Sequence, residues 1–71
     1  MIVLRLTCSA IWVDVRLREI NGRWLASADT PEGPSLGLGE QAILAIEQAL
    51  EPFQGIADEL LASVPRNGLE R

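Results

Sequence analysis

The dipeptide Asn21-Gly22 constrains this chain more than any other feature of its sequence. A two-residue type I′ turn needs positive φ at both central positions, and Asn followed by Gly adopts that geometry at the least cost. Folding about this turn predicts a register with Ile20 opposite Arg23, Glu19 opposite Trp24, Leu17 opposite Ala26 and Val15 opposite Ala28. Val13, Val15, Leu17, Trp24, Ala26 and Ala28 then share one face, and Asp14, Arg16, Arg18, Ile20, Leu25 and Ser27 share the other. A slip of one residue would reverse every side chain, so the clean sorting supports the register.

Upstream, Ile2, Leu4, Leu6, Cys8, Ala10 and Trp12 alternate with Val3, Arg5, Thr7, Ser9 and Ile11, which reads as a strand. The apolar parity then changes to Ile11, Val13, Val15 and Leu17, so a bulge, bend or turn is predicted near Ser9 to Trp12. Downstream, Pro31, Gly33, Pro34, Gly37 and Gly39 punctuate residues 29–39, which read as a loop with at most a short edge strand at Ser35 to Leu38. Glu40 to Glu51 has the apolar spacing of an amphipathic helix, with Ala42, Ile43, Ile46, Ala49 and Leu50 on one side and Glu40 placed to favour the helix dipole. Pro52 is expected to break or kink it. Phe53, Ile56, Ala57, Leu60, Leu61 and Val64 form a second helical stripe, ended by Pro65. The expected fold class is α+β, an antiparallel sheet of two to four strands packed by one or two C-terminal helices. It forms one domain over residues 1–65, with residues 66–71 as a flexible tail.

At 71 residues, folding removes only about 60% of the surface the unfolded chain exposes. Self-association or docking on a partner is a common way for so short a chain to complete its core, and a homo-oligomer is expected. Trp12, Trp24, Phe53 and Leu60 are the expected anchors of that core or of a dimer interface.

The net charge of −4 is unevenly spread. Residues 1–25 carry four Arg against two acids, +2, and residues 26–71 carry two Arg against eight acids, −6. An acidic chain disfavours nucleic acid, whose binding depends on cations that neutralise phosphates. His, Lys and Tyr are absent, so every cation is a guanidinium and the usual acid/base group for neutral pH is missing. The chain is therefore read as a non-enzyme with no catalytic residue, no cofactor and no metal site. Cys8 has no second cysteine to pair with and reads as a small core residue. The lone thiol and the lack of a signal-peptide pattern point to the cytoplasm. Apolar runs fall far short of the roughly 20 residues that span a bilayer. Glu40, Glu47 and Glu51 form a solvated helix face able to steer a cationic protein, and Arg16 and Arg18 lie on the sheet face available to another chain.

An aromatic-led strand at Trp24 to Ala28 is followed by an acidic Gly/Pro loop at Asp29 to Gly33. A short strand at Leu36 to Gly39 and a helix opening with Glu40-Gln41-Ala42 complete the order. Over about residues 13 to 50 this resembles the HicB-like antitoxins and the small solitary proteins similar to them. The resemblance implies a partial RNase-H-like sheet without catalytic carboxylates, working by masking a small RNA-cleaving toxin. The leading expectation is thus a non-catalytic protein-binding module of HicB-like antitoxin type that sequesters a small basic partner. The alternative is a free-standing structural homodimer with no toxin, joined through a strand edge or through the Phe53 to Val64 stripe.

Overall fold

A computed structural model describes residues 2–64, in the order β1 (Ile2–Thr7), β2 (Trp12–Ile20), β3 (Arg23–Thr30), β4 (Gly33–Gly39), α1 (Ala42–Ala49) and α2 (Ala57–Ala62). Asn21 at φ 52° and Gly22 at φ 79° make the predicted reversal, and the β2–β3 register is the one read from the sequence. Every strand pairs antiparallel with its chain neighbour, giving a four-stranded meander in the order β1-β2-β3-β4. The parity change falls in the β1–β2 turn, closed by the Cys8 N–H donating to the Ile11 carbonyl at 3.0 Å. Cys8 therefore sits half-buried just past the end of β1 rather than in mid-strand, and Ile11 is exposed in the turn.

Both helices lie on the face that carries Leu6, Val13, Val15, Leu17, Ala26 and Ala28, and with Ala42, Ala45, Ile46, Ala49, Leu50, Leu60 and Val64 these residues form the core. The core is graded in thickness. Over β3 and β4 the sheet presents alanine and glycine, which lets α1 approach closely; β1 and β2 present leucine and valine, and α2 closes on β1.

Residues 29–39 depart from expectation. They form a tight hairpin rather than a loop, with β3 running to Thr30 and β4 spanning Gly33–Gly39. Pro34 is compatible with this because β4 is an edge strand, where a missing N–H costs no ladder bond. Gly37 has a packing purpose: a Cβ there would stand 2.0 Å from the Ala45 carbonyl oxygen and 2.6 Å from the Ala49 nitrogen, so α1 rests on bare strand backbone.

The helices are shorter than the periodicity predicts. α1 starts after Gln41, so Glu40 precedes the cap and the first turn holds no acid for the dipole. Pro52 breaks the helix rather than kinking it, because its ring cannot follow the preceding turn. Phe53 and Ile56 lie in the connecting turns, half-buried against the core, and only Ala57–Ala62 is helical. The predicted tail at 66–71 and the domain limit at residue 65 lie outside the described residues. No described helix is long and apolar enough to cross a membrane.

Candidate functional site

Strand alternation projects Val3, Arg5, Thr7, Trp12, Asp14, Arg16, Arg18, Ile20, Arg23, Leu25, Ser27, Asp29, Leu36 and Leu38 from the sheet face opposite the helices. Within the described residues this face has no covering layer. It carries Arg5, Arg16, Arg18 and Arg23 against Asp14 and Asp29, that is 4 − 2 = +2.

One part of the face is neutralised by ion pairs. Arg5 grips Asp14 with two hydrogen bonds, Nε–H to Oδ1 at 2.9 Å and Nη2–H to Oδ2 at 3.3 Å, while its guanidinium lies 4.0 Å from the centre of the Trp12 ring. Arg16 donates to Asp29 at 2.8 Å. The hydrogen bond from Arg5 holds the Asp14 carboxyl below its ordinary range, with partial desolvation opposing and the charges of Arg5 and Arg16 assisting. A depressed folded-state value means that the pair stabilises the fold above the unfolded aspartate value and stops doing so as acid titrates the folded carboxylate, below about pH 4. Asp14→Asn should flatten that acid limb in a pH series of thermal melts by lowering the neutral melting point slightly while leaving the acid one nearly unchanged. An unaltered acid limb would mean the pair carries no linkage. Arg18 and Arg23 form no ion pair among the described residues, and Ile20, Leu25 and Leu38 lie beside them.

The helical layer has the opposite character. Glu40, Glu47, Glu51, Asp58 and Glu59 are all exposed, and residues 40–64 contain no cation, giving −5. Leu44 on α1 is 48% exposed, one helical turn before Glu47, and Glu51 follows in the turn after the helix.

The expected site residues are thus divided. Arg16 and Arg18 stand on the open sheet face, whereas Glu47 stands on α1, with Glu40 just before its cap and Glu51 in the turn after it. Trp12 is no core anchor. At 58% exposure it lies on the outer face under Arg5, because the turn at Cys8–Ile11 starts β2 on the outward parity. Trp24 is half-buried against the core and, with Ile2, Leu17, Arg18 and Glu19, lines an open groove of about 330 Å³ at the end of the sheet. Phe53 packs on the core, and Leu60 is fully buried within the chain, which leaves it no surface to offer a dimer.

Val3, Leu36, Leu38 and Leu44 complete the exposed apolar set and were not among the expected site residues. Val3 carries a visible signal, an apolar side chain on the polar parity of β1; Leu36 and Leu38 carry another, an alternating pair inside the glycine-rich segment. No three His, Cys, Asp or Glu side chains among the described residues converge as metal ligands. Compared with protein families, with characterised proteins and with solved structures, the chain shows no significant match.

Proposed function

We propose that this chain is a non-catalytic protein-binding module of HicB-like antitoxin type, whose helical layer sequesters a small basic protein. The observation that supports the reading is the segregation of charge: five exposed acids and no cation over residues 40–64, with Leu44 protruding among them. A uniformly acidic surface raises the encounter rate with a cationic protein and repels acidic competitors. The exposed leucine adds an apolar contact, where charges alone would give little affinity against salt.

The proposal is tested by isolating the tagged chain from its own cells at low salt. A small basic protein should accompany it, be released as salt rises, and be lost from the double variant Glu47→Arg, Glu51→Arg. Both positions are exposed, so the variant should keep its fold. Recovery of the chain only as a homogeneous self-assembly, or retention of the same companion by the reversed-charge variant, would remove the basis for this reading.

A further inference from the structure

The two edges of the sheet differ. In an antiparallel ladder the residues whose N–H and C=O point away from the partner strand alternate with those that pair. On β4 the outward positions are Pro34, Leu36 and Leu38, because Thr30 and Gly33 close the hairpin as a bonded pair around two residues. Pro34 has no N–H to offer, and the Leu38 N–H donates to Gln48 Oε1 at 2.7 Å. Among the described residues only Leu36 is left open on that edge.

On β1 the bonded closure at Cys8 and Ile11 makes Val3, Arg5 and Thr7 the outward positions. The Thr7 N–H is occupied by Ser63 Oγ at 3.0 Å, and α2 covers this end. The backbone groups of Val3 and Arg5 have no partner among the described residues. Around Val3 this stretch lacks the usual protections of an edge, since Ile2-Val3-Leu4 holds no charge, no proline and no bulge; the charge of Arg5 lies two residues further along.

We propose that β1 pairs antiparallel with β1 of a second copy of the chain, about a two-fold axis at Val3, joining two four-stranded sheets into one of eight strands. The sequence is self-complementary in that register. Val3 faces Val3 of the second copy on the outer face, and Ile2 faces its Leu4 on the core face, where α2 leaves Ile2 38% exposed. Charge selects the same register: centring on Arg5 would set two guanidiniums directly opposite, whereas centring on Val3 separates them by about 14 Å at the usual rise per residue. Among the described residues β1 offers the longer open edge, and isologous pairing uses it up in both copies, which gives a closed dimer.

This inference goes beyond the proposed sequestration and is independent of the acidic helical layer, because it is read from the purified chain alone. Sedimentation equilibrium should give twice the 7.7 kDa chain mass. Val3→Pro removes only an outward N–H and no bond to β2, so it should stay folded and sediment at the mass of one chain. Val3→Lys, at a position 61% exposed, gives the same readout should proline disturb the strand.

The register is checked by oxidation in a Cys8→Ser background. A bonded antiparallel pair sets Cα atoms about 5.5 Å apart, within disulfide reach, so Val3→Cys should cross-link and Arg5→Cys should not. A wild-type chain that remains at monomer mass up to millimolar concentration, a folded Val3→Pro variant that remains dimeric, or cross-linking through position 5 in preference to position 3 would each overturn the proposal.

Discussion

Replacing Gly37 with alanine is expected to unseat α1 and cost the fold about 3 kcal/mol or more, at the upper end of what overpacking does. The added methyl would lie 2.0 Å from the Ala45 carbonyl oxygen and 2.6 Å from the Ala49 nitrogen. Both obstacles are helix backbone, so no rotamer change relieves the clash; the helix has to lift. Ala42, Ala45, Ile46, Ala49 and Leu50 belong to α1 or its cap, so lifting it opens much of the core at once. At about 0.05 to 0.15 kcal/mol per residue a domain of this size holds only some 4–10 kcal/mol of stability, and a loss of this order takes a large share. Urea titration followed by circular dichroism reads the shift in midpoint. Gly22→Ala is the control: a methyl there meets nothing within 4 Å, and only the positive φ is penalised, at about 1–2 kcal/mol. A Gly37→Ala midpoint equal to that of the parent would show that α1 does not sit on β4 as described.

Leu60→Ala is expected to be the second most damaging change, at about 2–5 kcal/mol. Leu60 is the buried residue of α2, and a six-residue helix has no stability of its own. Truncating it removes the contact that holds α2 over β1, and with it the hydrogen bond from the Thr7 N–H to Ser63 Oγ. The substitution should therefore lower the urea midpoint and speed hydrogen exchange at the Thr7 amide more than at Leu17 in the middle of the sheet. Equal acceleration at both amides would indicate that α2 does not open as a separate unit.

The central hairpin was legible because a single dipeptide sets its turn and the alternation on either side admits one register. The parity change between Cys8 and Trp12 was legible too, as a point where the chain must bend. The local rules failed where a residue type serves packing rather than backbone freedom. Gly37 and Gly39 look like strand breakers, yet their bareness is what the neighbouring helix requires, and that helix cannot be seen from the strand's own sequence. The core alternative fails for Trp12 because its even position continues the apolar parity of β1, while the turn has already started the next strand on the outward face.

The candidate site was less legible than the fold. Strand alternation assigns Arg16 and Arg18 to one face, and helical spacing assigns Glu47 and Glu51 to another. Nothing in either pattern states that α1 covers the opposite side of the sheet, which only the tertiary arrangement reveals. Which edge stays open depends on bonds that Ser63 accepts from Thr7 on β1 and Gln48 accepts from Leu38 on β4, spanning 56 and 10 residues, beyond the range of any periodic reading.

The meander has a consequence for the order in which the protein takes shape on the ribosome. Each strand finds its partner in the segment synthesised just before or after it, so the sheet can be complete while the last helix is still inside the exit tunnel. The closure of α2 on β1 joins opposite ends of the described chain and has to wait until α2 has left the tunnel. Until then the first strand remains available along its whole length to whichever nascent or finished chain is nearest.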